Sequence, residues 1–186
     1  KSISNITNDT NEVIGALPKN TIVEIVRELS EILKPLQGNI NVNDYEQMYG
    51  NDEDTSFYTL NNAPIFADIE QTKVITNIEK GRKLDKLYYS NDLNMIYIEE
   101  INLKGWINPN NIGILKNQYN KVAVINNNTN TYKSIDGQIK NTYNSGEIIE
   151  SSAYQNEYFY SRDNVWINKK DVAVISEDRK STRLNS

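Results

Sequence analysis

The 186-residue sequence contains neither cysteine nor histidine, and both absences limit its chemistry. Without cysteine there are no disulfides, no thiolate zinc ligands and no thiol nucleophile. Without histidine the chain lacks the commonest general base and the commonest metal ligand. Catalysis would have to rest on carboxylates or lysine. We therefore predict that this chain is not an enzyme and uses no metal and no cofactor.

Two clusters of carboxylates could in principle carry chemistry, and neither has a distinctive setting. Glu99 and Glu100 end a segment of strand-like residues, in which neighbouring side chains point to opposite faces, so both cannot address one substrate atom. Asp52, Glu53 and Asp54 lie in a polar stretch that is typical of a solvated linker. A carboxylate-dependent enzyme, such as a glycosidase, is the least favoured of the hypotheses.

The chain also lacks long apolar runs and an excess of positive charge. No apolar segment approaches the roughly 18–20 residues that a bilayer-spanning helix needs. The net charge is −5, which disfavours the phosphate neutralisation on which nucleic-acid binding depends and long-range attraction to anionic lipid. We expect no nucleic-acid partner and no membrane insertion.

Residues 178–186 stand apart from the rest of the sequence. They resemble one reading frame of a common sequencing-adapter oligonucleotide, and we interpret them as an artefact; the alternative is a basic, disordered tail. Without their net charge of +2, residues 1–177 carry −7. Because the chain also begins at Lys1 rather than Met, we interpret it as a metagenomic fragment of a longer protein.

A seven-residue phrase occurs twice and recurs in weaker form. It reads Gly-Trp-Ile-Asn-Pro-Asn-Asn at 105–111, Val-Trp-Ile-Asn-Lys-Lys-Asp at 165–171, and Gly-Asn-Ile-Asn-Val-Asn-Asp at 38–44. Turn residues at 79–81, 144–146 and 18–20 precede the three phrases at similar separations. Internal periods of this kind indicate tandem structural units.

The two landmarks together predict the domain organisation. We predict one repeat over 57–116 and another over 117–177. Residues 1–49 would form a degenerate or truncated repeat, and residues 50–56 a linker.

The predicted fold class is all-β, with about three small barrels in tandem. Short strands rich in β-branched and aromatic residues alternate with turns, and Asp136-Gly137 is a two-residue hairpin signal. One segment is ambiguous, because residues 21–35 also show helical spacing behind a capping-box pattern. We favour two strands there, because the flanking landmarks align with those of the other units.

These motifs resemble bacterial SH3-type (SH3b) modules, and among them the GW modules named for a Gly-Trp dipeptide. Gly105-Trp106 is the intact dipeptide, Val165-Trp166 keeps the Trp, and Gly38-Asn39 keeps the Gly. The resemblance implies tandem SH3-like barrels that attach a secreted protein to the Gram-positive cell wall without catalysis. A hydrolase domain, such as an amidase, would lie outside this chain.

The same resemblance implies peptidoglycan or a teichoic-acid-type polymer as the ligand. GW modules that hold lipoteichoic acid are typically basic, so the acidic charge favours peptidoglycan or a neutral wall polymer. Two alternatives stay open: an extracellular adhesion module for a host protein or glycosaminoglycan, and repeats that serve only as spacers.

Aromatic residues are the candidate ligand contacts. We expect Trp106 and Trp166, with Gly105, to be structural, because a Trp directly after a turn in a small barrel usually packs in the core. Tyrosine combines an apolar face with a polar tip, which suits sugars and peptides. The candidates are Tyr88, Tyr89, Tyr97, Tyr132, Tyr154, Tyr158 and Tyr160.

Overall fold

A computed structural model describes residues 3–19, 21–26, 31–34, 38–41, 45–90 and 92–175. The chain is almost entirely β-structure, which confirms the predicted fold class. The only helical elements in the described ranges are two single 3₁₀ turns, Pro109–Asn111 and Lys169–Asp171.

The strands fall into three groups, which we call units 1, 2 and 3. Unit 1 contains β1 (Ile3–Thr7), β2 (Val13–Pro18), β3 (Glu24–Val26), β4 (Glu31–Lys34) and β5 (Gly38–Asn39). Unit 2 contains β6 (Tyr49–Gly50), β7 (Thr55–Thr59), β8 (Ala63–Phe66), β9 (Val74–Ile78), β10 (Lys83–Leu84), β11 (Leu87–Tyr89), β12 (Ile96–Glu100) and β13 (Leu103–Ile107). After β14 (Ile112–Val124), unit 3 contains β15 (Thr129–Tyr132), β16 (Ile139–Tyr143), β17 (Ile148–Gln155), β18 (Tyr158–Ser161), β19 (Trp166–Asn168) and β20 (Val172–Ile175).

All three units contain the same antiparallel arrangement of five strands. The order is β2-β1-β5-β4-β3 in unit 1, β9-β8-β13-β12-β11 in unit 2 and β16-β15-β19-β18-β17 in unit 3. The repeat that the sequence shows is therefore a repeat of topology.

The recurring phrase occupies the same place in each unit. Asn39 pairs with Thr7, Trp106 with Phe66, and Trp166 with Tyr132. In every case the landmark residue lies on the last strand of the arrangement in chain order and pairs with the first: β5 with β1, β13 with β8, and β19 with β15. The Asn39 position is thus equivalent to the two tryptophans, although its side chain is polar.

Strand β14 belongs to two units at once. Its first part pairs with β7 from Ile112 to Lys116, its last part pairs with β20 from Lys121 to Val124, and β17 lies along its other edge. The strand is the last one of the unit 2 barrel and the first one of the unit 3 barrel. The boundary predicted between residues 116 and 117 falls inside it and stays a prediction.

Equivalent backbone hydrogen bonds hold the turns of units 2 and 3. The Gly81 amide donates to the Thr59 carbonyl at 2.8 Å, and the Gly146 amide donates to the Val124 carbonyl at 2.9 Å. Both glycines have positive φ, +85° and +90° respectively. The turns at 79–81 and 144–146 are therefore equivalent in geometry as well as in sequence position.

The apolar cores follow the same division, with one exception. Unit 2 buries a cluster that includes Ile65 and Ile98, and unit 3 buries one that includes Val122 and Ile167. A further cluster crosses between the units. It consists of Tyr58, Leu115, Ala153, Tyr160 and Trp166. Burial of apolar surface thus stabilises the joint between the units as well as each barrel.

The helical alternative for residues 21–35 is wrong, and the favoured prediction of strands is confirmed. β3 and β4 form an antiparallel pair, with Ile25 opposite Ile32, and β4 also pairs with β5. Residues 27–30, in the middle of the segment, lie outside the described residues. Pairing with the rest of the sheet overrides the local helical periodicity.

The hairpin predicted at Asp136-Gly137 is present, but its loop is longer than two residues. β15 and β16 pair as predicted, and the amide of Lys133 donates to the carbonyl of Gln138 at 3.0 Å. Asp136 has a φ of +55°, a conformation that Asp and Asn tolerate better than most residues.

The two equivalent turn glycines provide a matched pair of variants. A Cβ at Gly81 would lie 2.5 Å from the Ser134 Cβ and 2.6 Å from the Lys133 carbonyl oxygen, whereas a Cβ at Gly146 meets nothing within 4 Å in the described part of the chain. We expect Gly146→Ala to lose about 1–2 kcal/mol for the left-handed backbone. We expect Gly81→Ala to lose about 2–5 kcal/mol, because overpacking adds to that cost. Denaturant unfolding measures both, and equal losses would contradict the packing of unit 3 on Gly81.

Candidate ligand-binding surface

Both tryptophans lie inside the protein. Trp106 is 3% exposed and Trp166 is fully buried, and Trp106 packs edge-on against Tyr97, with ring centroids 5.2 Å apart. Gly105 has a φ of +154°, and a Cβ there would lie 2.7 Å from the Phe66 carbonyl oxygen. The Gly-Trp dipeptide thus allows close approach of β13 to β8 and delivers an indole to the core.

Trp166 links unit 3 to unit 2. Its indole Nε1 donates to the Gly81 carbonyl oxygen at 3.0 Å, across 85 residues of sequence. Its ring also packs edge-on against Tyr58 of unit 2 and Tyr160 of unit 3, with centroids 4.9 and 5.0 Å away. A buried indole N–H normally finds an acceptor, and here the acceptor belongs to the neighbouring unit.

A cleft of about 330 Å³ opens where units 2 and 3 meet, and we call it the inter-unit cleft. Unit 2 contributes residues from the ends of β7 and the 79–81 turn. Unit 3 contributes the β15–β16 loop and the β17–β18 turn. Its charged and amide side chains are Lys80, Asp136, Gln155, Asn156 and Glu157, and Leu60, Ile135 and Tyr158 provide apolar surface.

Tyr158 is the most defined aromatic contact of this cleft. Its hydroxyl donates to Asp136 Oδ1 at 3.3 Å, so the β15–β16 loop orients the ring at the start of β18. Partial burial raises the pKa of the Tyr158 phenol above its usual 10, so the hydroxyl, already neutral at physiological pH, stays a hydrogen-bond donor over a wider pH range. The cleft therefore combines an aromatic face with amides and carboxylates.

A second depression, of about 470 Å³, lies on unit 2 beside Tyr88. Lys86 Nζ lies 5.4 Å from the centre of the Tyr88 ring and 2.9 Å from Glu99 Oε2. Lys104 binds the other oxygen of Glu99 at 3.0 Å. Hydrogen bonds from Lys86 and then Lys104 lower the pKa of Glu99 to about 2.

The paired acids Glu99 and Glu100 diverge, as the strand periodicity predicts. Glu99 is held by the two lysines, whereas Glu100 Oε1 accepts from the Asp85 amide at 2.7 Å. Within the described residues, no group of three or more acidic side chains could hold a metal ion, and no helix there has the length and apolar character to cross a membrane.

The candidate tyrosines of unit 2 lie on separate surfaces. Tyr88 borders the second depression. Tyr89 is 44% exposed and forms a tilted pair with Tyr49, with centroids 6.3 Å apart. Tyr97 is half-buried against Trp106.

The candidates of unit 3 are also divided. Of the four candidates in this unit, Tyr158 lines the inter-unit cleft. Tyr132 packs against the Trp166 cluster, and Tyr154 lies under Lys169, whose Nζ is 4.4 Å from its ring centre. Tyr160 is 3% exposed, and its hydroxyl donates to Asn164 Oδ1 at 3.0 Å, so its ring belongs to the core.

Sequence reasoning missed the unit 2 side of the cleft. Lys80 was seen only as part of a turn, and Leu60 carried no signal. Tyr49, the partner of Tyr89, was assigned to the end of the first repeat, although β6 pairs with β11 of unit 2. The repeated turn at 79–81 was the sequence feature that could have indicated this side of the cleft, because the turn marks the surface on which unit 3 packs.

No family model matches this sequence, and no curated protein matches it. Among solved structures, the chain is similar to one titled "Endolysin LysPBC5 CBD", at 17% identity and a TM-score of 0.28, over 66% of this chain and 94% of that one. It is also similar to one titled "Structure of NlpC1 from Trichomonas vaginalis", at 8% identity and a TM-score of 0.25, over 69% of this chain and 46% of that one.

The ion pairs of Glu99 predict a specific pH dependence. Because the folded-state pKa of Glu99 is about 2, below its usual 4.5, the stabilisation is complete above pH 4.5 and is lost as the pH falls towards 2. We expect Glu99→Gln to remove up to about 1 kcal/mol of stability at pH 7 and less at pH 2, since the side chain is partly exposed. Unfolding at pH 2, 3, 5 and 7 measures the difference. Glu79→Gln, on an exposed turn, is the control, and an equal loss for Glu99→Gln at all four values would contradict the assignment.

Proposed function

We propose that this chain is a non-catalytic, envelope-binding region of a larger Gram-positive protein, secreted and held at the cell wall. The larger protein is a surface protein or a peptidoglycan hydrolase. The observation that carries the proposal is the fusion of two similar small barrels, which creates a polar and aromatic cleft at their joint. The cleft forms only where two repeats are joined, because both units contribute to its lining. A chain of joined repeats therefore suits an attachment function.

The chemistry of the cleft favours a neutral wall component. Amides, a tyrosine hydroxyl and an exposed apolar edge suit the sugars and short peptides of peptidoglycan. Asp136 and Glu157 outnumber Lys80 in the lining, and residues 1–177 carry −7. The negative balance of the cleft lining and the net negative charge of residues 1–177 both disfavour binding of a polyanionic teichoic acid.

Repetition adds to this argument. A unit of about 60 residues buries only about 60% of its unfolded surface and is marginal alone, so packing between units stabilises each of them. Wall polymers are themselves repetitive, and linked weak sites can gain about 10²–10⁴ in avidity.

A spacer role, or adhesion to a host protein, is the second candidate. One observation favours the spacer: β14 runs without interruption from unit 2 into unit 3, so the two units are coupled more stiffly than domains on a flexible linker. A spacer has no need for the inter-unit cleft to bind anything, and this difference separates the two functions.

Sedimentation with purified Gram-positive sacculi tests the proposal. We expect residues 1–175 to pellet with the sacculi, and to do so equally after the teichoic acids are stripped. Binding that disappears on stripping would assign the ligand to teichoic acid despite the charge. A protein that stays in the supernatant with both preparations would contradict envelope binding and favour the spacer or the host adhesin.

The role of the inter-unit cleft is tested by Tyr158→Ala. Loss of the ring should weaken binding to stripped sacculi by about tenfold, as expected for an aromatic contact worth about 1.4 kcal/mol. Tyr119→Ala is the matched control, because Tyr119 is exposed on β14 outside the cleft. Equal binding by the Tyr158 and Tyr119 variants would remove the cleft from the proposal while leaving envelope binding intact.

A further inference from the structure

Each unit has a hairpin tip between the first two strands, in chain order, of the common five-strand arrangement, namely β1 and β2, β8 and β9, and β15 and β16. The tips are residues 8–11, 68–71 and 134–137, and each is closed by a hydrogen bond from the fourth amide to the first carbonyl, at 3.0, 3.2 and 2.9 Å respectively. Each unit also has a turn after the second of these strands; it begins at residue 18 in unit 1 and spans 79–81 in unit 2 and 144–146 in unit 3. Residue 20 lies outside the described residues.

At the joint between units 2 and 3, the tip of the later unit packs on the turn of the earlier one. Ser134, the first residue of the tip, covers Gly81 so closely that a Cβ there would lie 2.5 Å from the Ser134 Cβ. Gly81 and Ser134 are both buried. The hydrogen bond from Trp166 Nε1 to the Gly81 carbonyl completes the contact.

One ion pair joins the corresponding positions of units 1 and 2. Lys19, in the turn of unit 1, forms an ion pair with Glu70, the third residue of the unit 2 tip. At the next joint the corresponding residues are Lys80 and Asp136, which line the same cleft. The ion pair thus brings the turn of unit 1 beside the tip of unit 2, at positions equivalent to those of Lys80 and Asp136 at the next joint.

The turn of unit 3 has the same geometry, but no tip packs against it in the part of the chain that the structure describes. Asn144, Ser145 and Gly146 are exposed, and among the described residues no atom comes within 4 Å of a Cβ placed at Gly146. Its φ of +90° and its hydrogen bond to Val124 match those of Gly81. The receiving surface is therefore formed, and none of the described residues covers it.

The tip of unit 1 does not suit this surface. Where the other tips carry Ile69 and Ile135, it carries Asp9, and Asn39 occupies the tryptophan position. Asn39 Nδ2 donates to Asp9 Oδ1 at 3.1 Å, so a polar pair replaces the apolar contact and no indole donor is present. A second copy of this chain could not reproduce the contact seen at Gly81.

We infer that the turn at 144–146 is a docking surface for the hairpin tip and indole of a further, Trp-bearing repeat of the same kind. Such a repeat would place its tip on Gly146 and donate its indole N–H to the Gly146 carbonyl. The inference concerns how repeats assemble and does not depend on what they bind.

An extended chain tests this directly. Residues 116–175 are added after residue 175, because Leu115 and Ile175 hold equivalent positions and the added unit then follows unit 3 as unit 3 follows unit 2. The measurement is amide hydrogen exchange at Gly146 and Glu147, compared with the three-unit chain. We expect exchange to slow by about fivefold or more, which one hydrogen bond of ordinary strength implies.

Two controls identify the cause. Replacing only the added copy of Trp166 with Phe keeps a ring but removes the N–H donor, and it should reverse most of the protection at Gly146. An added unit that stays unfolded, or that folds while exchange at Gly146 is unchanged, would overturn the inference. Sedimentation of residues 1–175 alone should show a monomer; a concentration-dependent oligomer that the surface variant Ser145→Arg abolishes would assign the turn to a second copy instead.

Discussion

The continuity of β14 is the constraint on which the arrangement of units 2 and 3 depends. A single strand pairs with β7 in one barrel and with β17 and β20 in the next, so neither barrel can rotate without breaking backbone hydrogen bonds. Trp166 reinforces the joint through the Gly81 carbonyl and the Tyr58 ring. Side-chain packing and backbone pairing thus define one relative placement of the two units.

That placement creates the candidate binding surface. The inter-unit cleft takes Lys80 from one unit and Asp136, Glu157 and Tyr158 from the other, and no single repeat contains this set. If the cleft binds a wall component, affinity and unit assembly are coupled, because a change that loosens the joint also disperses the contacts. The Gly81 and Trp166 positions would then affect binding without touching ligand.

Unit 1 shows how the same topology tolerates a different interior. Its strands follow the common order, yet where Ile135 of unit 3 packs against the cluster that contains Trp166, unit 1 has the hydrogen-bonded pair of Asp9 and Asn39. Asp9 and Asn39 are 30 residues apart in sequence but adjacent in the fold. Each provides a hydrogen-bond partner for the other, whereas an isolated polar group at either position would be costly.

By itself the sequence determined the all-β class, the period of the repeat and the equivalence of its landmarks, because turn glycines and alternating strands act over short distances. Tertiary structure decided the rest. The helical spacing of residues 21–35 gave way to strand pairing, and the predicted tyrosine group was distributed over core and surface, with Tyr160 buried and Tyr158 in the cleft. The shared strand and the cleft between units depend on contacts between residues as distant in sequence as Gly81 and Trp166. The periodicity of the sequence does not specify which turn carbonyl accepts a hydrogen bond from which indole.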